Sequence, residues 1–150
     1  TIYFAYIVCC VPLSGASFWS PAPLAFHVTF AAALVAYCQG VMTDPGGIPE
    51  HWKEGTEHLH SIQNQIQERK QTGEMRFCRK EQKYKPDRAH YCKPLQRNVL
   101  RMDHYCPWLS NCVGFYNHKF FVLFLLYTVL ATGIALFSIV QSLAAQVLPA

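Results

Sequence analysis

The chain has 150 residues, a formal net charge of +4 and a mean hydropathy of +0.08, yet all 22 charged residues lie between Asp44 and Lys119, leaving uncharged flanks of 43 and 31 residues. A soluble globular domain spreads charge along its length, and a disordered chain does not carry 51% hydrophobic and 14% aromatic residues, so both classes are excluded. The pattern predicts a mainly α fold: multi-pass transmembrane helices, with a small irregular cysteine-rich cytosolic domain inserted between spans two and three.

In chain order, residues 1–13 read as the end of a truncated transmembrane helix. Ile2 to Leu13 is apolar and aromatic, but too short at 1.5 Å per residue for a hydrocarbon core of ~30 Å. A basic n-region and a small-residue cleavage site are both missing, which argues against a signal peptide. The sequence begins at Thr1, with its first methionine at Met42, and is expected to be a fragment. Residues 14–23, with Ser14, Gly15, Trp19, Pro21 and Pro23, read as a luminal or extracellular connection. Residues 24–43 form a complete predicted span, interrupted only by His27, Thr29, Gln39 and Gly40 before its polar end. Residues 44–74 are a cytosolic linker. It opens with the helix-breaking Asp44-Pro45-Gly46-Gly47-Ile48-Pro49, and over 56–72 Leu59, Ile62 and Ile66 mark a short surface helix. Residues 75–119 form the cysteine-rich domain, 120–142 the third span and 143–150 a tail, with no fourth span. From Met75 to Lys119 ten basic residues face three acids, while 14–23 has no Lys or Arg, so the positive-inside rule puts the centre in the cytosol. No internal repeat is evident.

Of seven cysteines, Cys9, Cys10 and Cys38 lie in apolar runs and read as small buried hydrophobes. Cys78, Cys92, Cys106 and Cys112 fall in the loop, where a reducing cytosol argues against disulfides. No CxxC pair occurs, so spacing alone argues against a zinc ribbon. Reactivity fits better, because Asp103-His104-Tyr105-Cys106 places an acid, a base and a thiol within four residues. A thiol of pKa ~8.5 attacks as thiolate and needs a base or a positive field. His104 can take its proton, Asp103 can orient that imidazole, and Arg97 and Arg101 are expected to favour the thiolate. Alone, the string also fits a turn with incidental His and Cys.

The surrounding residues decide between these readings. Cys78, the run Lys85-Pro86-Asp87-Arg88-Ala89-His90, Cys92, Met102-Asp103-His104-Tyr105-Cys106-Pro107-Trp108, Asn111-Cys112-Val113-Gly114-Phe115, Asn117 and Lys119-Phe120-Phe121 closely resemble the cysteine-rich domain of the DHHC protein S-acyltransferases, the palmitoyltransferases. Asp44-Pro45-Gly46 resembles the family's DPG motif. The resemblance implies a protein S-palmitoyltransferase. Cys106 would take a fatty acyl group from palmitoyl-CoA, the co-substrate, and pass it to a cysteine of a substrate protein at the cytosolic membrane face. His104 would be the base and Asp103 its orienter. Lys85, Arg88 and His90 would meet the CoA phosphates, Trp108 would lie against the thioester end, and the spans would enclose the acyl tail in membrane lipid. No nucleic acid is implied, and the organelle, endomembrane, Golgi or plasma membrane, stays open.

The sequence departs from the family at the zinc ligands. The family has two sites of three Cys and one His. Here the first keeps Cys78 beside Glu81, Tyr91 and Asn98, and the second keeps Cys92 and Cys112 beside Leu95 and Tyr105. Two ligands, or one, cannot hold a four-coordinate structural zinc, so no metal site is expected. Tyr91, Leu95 and Tyr105 are expected to pack in the metal's place, with Asn98 and Glu81 hydrogen-bonding. Tyr105 also turns the signature into DHYC while leaving His104 and Cys106. The alternative is a catalytically weak or inactive DHHC-like membrane scaffold.

Overall fold

The computed structural model describes residues 2–14, 17, 19–52, 64 and 66–147, which form two compact units, 1–38 with 120–150 and 39–119.

The first unit is helical. Residues 2–14 run as α1 (Ile2–Ala5), a π-helical turn (Tyr6–Cys10) and α2 (Val11–Ser14). Pro12 has no N–H to return to Val8, which accounts for the widened turn just before it. Helix α3 spans Pro21–Met42 and the last helix, α4, spans His118–Val147. At 1.5 Å per residue they are about 33 and 45 Å long. Both are long and apolar enough to cross a membrane. Both begin earlier than the predicted spans, and α4 also ends later. Pro21 and Pro23, expected in the connection, sit in the first turn of α3, where a missing N–H costs nothing. The core of this unit is Tyr6, Val11, Phe26, Ala131 and Ala135, with Ile7, Phe30 and Ile134 packed against it. Tyr3, Phe26 and Phe30 form an aromatic cluster, and the Tyr6 hydroxyl meets Ser138 Oγ at 3.3 Å. Thr128, Thr132, Ser138 and Ser142 return their hydroxyls to carbonyls one turn back, so these polar groups are satisfied within the helix. Large apolar side chains are exposed along α4, from Val122 and Leu126 to Phe137 and Val147.

The second unit corrects the expectation of an irregular domain: it is built from three two-stranded antiparallel hairpins. Strands β1 (Phe77–Cys78) and β2 (Lys83–Tyr84) pair, as do β3 (His90–Cys92) with β4 (Arg97–Val99) and β5 (His104–Cys106) with β6 (Asn111–Val113). Each first strand ends on a cysteine, Cys78, Cys92 or Cys106, followed by a four-residue turn whose last residue, Gln82, Gln96 or Ser110, has positive φ. The three cysteines are 14 residues apart, as are Phe77, Tyr91 and Tyr105. An internal repeat therefore exists, contrary to the sequence reading. It is carried by turn geometry and ring positions more than by residue identity.

The surface helix predicted over 56–72 does not reach its predicted end: Asn64 is helical, but residues 66–72 pass through an isolated bridge, Arg69 with Met75, and a turn, while Leu59 and Ile62 lie outside the described residues. Ile66 is buried with Ile48 and Trp52, against Met75, Tyr84 and Leu100. The Asp44-Pro45-Gly46 segment is anchored across the second unit. Leu100 N donates to Gly46 O at 2.9 Å, Tyr116 N to Pro45 O at 3.3 Å, and Gly47 bridges Val99.

Candidate active site

Alternation along β5 puts His104 and Cys106 on one face and Tyr105 on the other. Register extends both faces across the hairpin: His104 opposes Val113, Cys106 opposes Asn111 and Tyr105 opposes Cys112. The Tyr105 face turns inward, because Cys112 is buried with Cys92 and Val99 and Tyr105 packs against that cluster. The opposite face is buried too at Cys106, Asn111 and Val113, and His104 is its partly exposed member. His104 Nδ1 lies 3.3 Å from Asp103 Oδ2, with the two side chains 42% and 52% exposed, and Asp103 N donates to Val113 O at 2.9 Å. The predicted acid, base and thiol are therefore carried on one hairpin, with the Cys106 residue only 4% exposed.

Two asparagines tie this hairpin to the end of α3, a role the sequence reading did not assign although both belong to the quoted motif. Asn111, opposite Cys106, donates from Nδ2 toward the carbonyls of Gly40, Val41 and Thr43 at 3.3, 3.2 and 3.0 Å. Asn117 Nδ2 donates to Cys112 O at 2.8 Å and Gly40 O at 3.3 Å, while its Oδ1 accepts from Gly114 N at 2.8 Å. The last carbonyls of a helix lack intrahelical donors, and these amides supply them. The available signal was amide side chains beside a cysteine motif that followed a helix end.

The predicted donor-binding residues are spread more widely. The Lys85 to His90 turn is held by its neighbours: Asp87 accepts from Gln67 N and Glu68 N, and Arg76 donates to Pro86 O at 2.9 Å and pairs with Glu68. Arg88 lines a polar cavity of about 360 Å³ beside Asp103, with Arg101, Met102, Gly114, Phe115, His118 and Lys119. Lys85 and His90 do not line it, and Trp108, in the turn after Cys106, is 83% exposed. The assignment of Arg97 to the thiolate field is corrected: its guanidinium donates to Asp44 Oδ2 at 2.6 Å. Asp44 Oδ1 also accepts from Gly46 N at 2.7 Å. Burial pushes the Asp44 carboxyl up, but the Arg97 and Gly46 hydrogen bonds and the Arg97 charge outweigh it and hold the group below its ordinary value.

The family's two zinc positions hold other chemistry in this chain. At the first, the buried Cys78 sulfur is met by donors: the Asn98 amide and the N–H groups of Glu81 and Lys80. Burial pushes this thiol up, but those hydrogen bonds and the Lys85 charge bring it below its ordinary value. The Glu81 carboxylate accepts from Asn98 N at 2.8 Å and from Asn98 Nδ2, and Tyr91 donates to Gln96 while Lys80 sits over its ring. At the second, Cys92 and Cys112 are joined as a disulfide with Leu95 and Tyr105 packed around them, which corrects the expectation of no disulfide in the loop. Among the described residues no three His, Cys, Asp or Glu converge to hold a metal. The residues present do not fit a four-coordinate zinc at either position.

Comparison with known proteins follows the same residues. The family model for DHHC palmitoyltransferase matches residues 71–148. The chain is 40% identical over 117 residues to Probable protein S-acyltransferase 14 of Arabidopsis thaliana, covering 71% of this chain and 38% of that protein. It is 41% identical over 124 residues to Palmitoyltransferase pfa3 of Emericella nidulans, covering 78% and 24%. To Palmitoyltransferase ZDHHC2 of Homo sapiens it is 32% identical over 148 residues, covering 85% and 40%. The chain thus spans two fifths or less of the length of these relatives.

Proposed function

Since this chain belongs to the DHHC palmitoyltransferase family, we propose that it is a protein S-acyltransferase working by a thioester acyl-enzyme on Cys106. The observation that carries the reading is the β5 arrangement, His104 and Cys106 on one strand face with the Asp103 carboxylate 3.3 Å from the imidazole. In the first step Cys106 Sγ, its proton passed to His104, attacks the acyl carbonyl of acyl-CoA. The bond from that carbonyl to the CoA sulfur breaks, and the leaving thiolate recovers the proton. In the second, His104 takes the proton of a substrate protein's cysteine, whose sulfur attacks the acyl-Cys106 carbonyl; the bond from that carbonyl to Cys106 Sγ breaks, and the departing Cys106 thiolate recovers the proton from His104. Asp103 holds the imidazole and stabilises its charged form.

The donor is palmitoyl-CoA or a related thioester. Lys85, Arg88 and His90 meet its phosphates, as cationic side chains suit such groups, and Trp108 flanks the thioester end. The first unit supports a lipid-buried tail. It has an apolar crevice of about 300 Å³ lined by Phe30, Leu34, Tyr37, Phe124 and Ala131 among others, and each CH₂ buried contributes ~0.8 kcal/mol. The cysteine-rich unit faces the cytosol, where the basic excess belongs. It stands without zinc: hydrogen bonds around Cys78, Asn98 and Glu81 and packing around Cys92, Cys112 and Tyr105 take the metal's place. Metal analysis of the purified chain is expected to return far less zinc than protein, and a stoichiometric content rejects this part of the reading.

Labelling with an acyl-CoA analogue tests the reaction. The wild-type chain acquires a hydroxylamine-sensitive label and Cys106→Ala does not, whereas equal labelling of both removes the assignment. The loss of zinc donors favours one other reading, a scaffold that keeps the fold without turnover. A wild-type chain in membranes that folds, binds palmitoyl-CoA and never labels supports it.

A further inference from the structure

The cavity beside Asp103 contains basic side chains that neither acyl-transfer step proposed above places on a reacting group. Arg101, His118 and Lys119 line it together with Arg88, over a volume of about 360 Å³, and Met102 and Phe115 supply apolar wall. Arg101 is poised without a counter-ion among the described residues, where it makes no ion pair, and Arg88, assigned above to the CoA phosphates, only borders the cavity. Arg101 is instead held by its guanidinium stacking over the Phe115 ring, 5.5 Å from the centroid, which orders the group while leaving its N–H fork unspent. The only carboxylate on the wall, Asp103, is engaged with His104 at 3.3 Å. The positive end of α4, whose first residues are His118 and Lys119, adds to the same field.

Forked guanidiniums, an ammonium and an imidazole around a small polar cavity match a phosphate ester. Such a group is carried both by an acidic phospholipid and by the nucleotide end of a CoA thioester. Chain position separates the two sources. Lys119 is the last charge before 31 uncharged residues, and His118 directly precedes it, so two of the four basic wall residues belong to the first turn of a candidate span, where a chain entering lipid would leave them beside the headgroups. Lys85 and His90, the other residues assigned to the CoA phosphates, are not on this wall. We infer that the cavity is a binding site for the phosphate headgroup of an acidic phospholipid, seated next to the carboxylate that orients His104.

The full chain, purified in a zwitterionic detergent, tests this through its melting temperature, a readout that needs no turnover and so can fail independently of the acyl-transfer reading. Dioctanoyl phosphatidic acid is expected to raise the melting temperature saturably, with the response weakening as salt rises from roughly 50 to 500 mM. Dioctanoyl phosphatidylcholine is expected to leave it unchanged. Arg101→Gln should weaken the phosphatidic acid response by about tenfold in concentration while Arg101→Lys retains most of it, as expected for loss of a charge-assisted contact. If Arg101→Gln fails to fold, His118→Gln, an exposed side chain on the same cavity, takes its place. A response untouched by these variants, one that phosphatidylcholine reproduces, or one that saturating free CoA abolishes overturns the inference, the last by returning the cavity to the soluble donor.

Discussion

At the scale of single residues, small electrostatic pairings hold the site. The Asp44 carboxylate serves two donors, Arg97 across the unit and Gly46 within its own turn, and its folded pKa lies below the ordinary value. Its contribution to stability is therefore fully present above the unfolded pKa, ~3.9, and is lost as pH falls through the lower folded value. The side chains of Asp44 and Arg97 are 61% and 34% exposed, so the pair is worth no more than about 0–1 kcal/mol. Asp44→Asn is expected to leave the melting temperature nearly unchanged at pH 7 and to flatten its decline below about pH 4. A decline as steep as wild type would show that Asp44 does not titrate into the fold. The Asp103 and His104 pair is similarly exposed, so its value lies in orientation more than in stability. Removing a positioned base typically costs ~10²–10⁴-fold, and His104→Ala is expected to slow acyl-enzyme formation by that order. Asp103→Asn, which keeps the imidazole but alters its partner, should cost less. Expression and melting temperature close to wild type for both variants, measured beside the labelling rate, separate a chemical loss from a folding one.

At the scale of elements, the hairpins depend on close approach. Gly114, just past β6, has no room for a side chain: a Cβ there would sit 2.5 Å from Val99 Cγ1 and 2.8 Å from Pro45 O. Gly114→Ala must push β4 or the Pro45 segment away. Overpacking of this kind costs ~1–3 kcal/mol, seen as a lower denaturation midpoint, and a neutral result would mean that these contacts are loose. The Cys92 to Cys112 link joins β3 to β6 across a separation of 20 residues. Reduction is expected to lower stability by ~2–4 kcal/mol; labelling should fall with it, since the face of β5 that this link backs is opposite to the one carrying Cys106. An unchanged melting profile in dithiothreitol would argue that packing around Val99 and Tyr105 suffices. Much of this scale was legible from residues alone. Cys106, His104 and the replaced ligand positions stand out in the sequence, because those are matters of residue type and spacing. The three hairpins do not, since strands of two or three residues are too short to show alternation. The repeat escaped notice because Cys78, Cys92 and Cys106 recur while their partners on the second strand, Lys83, Arg97 and Asn111, do not. Arg97 was misassigned because its partner Asp44 lies 53 residues away, beyond any local pattern.

At the scale of the whole molecule, the charge partition of the sequence corresponds to the two units: every charged residue lies between Asp44 and Lys119, within the unit that spans 39–119. The flanking helices supply apolar surface that folding does not cover. Val129, near the middle of α4, is 68% exposed, and Leu125, Leu136 and Phe137 are also exposed. An apolar surface around a long helix has two physical readings, which respond oppositely to charge. If Val129 faced water, Val129→Lys would be neutral or would raise solubility, since exposed substitutions away from special features change stability little. If it faces hydrocarbon, a lysine near the centre of the span costs ~2.5–3.5 kcal/mol of insertion free energy. The uncharged flank and the hydroxyls returned to the helix's own carbonyls both favour the second. Val129→Lys is therefore expected to increase the fraction of chain extracted from membranes by alkaline carbonate, while Val129→Leu behaves as wild type. Equal retention of the lysine and leucine variants would place this face of α4 away from lipid and remove the physical basis for reading it as a span.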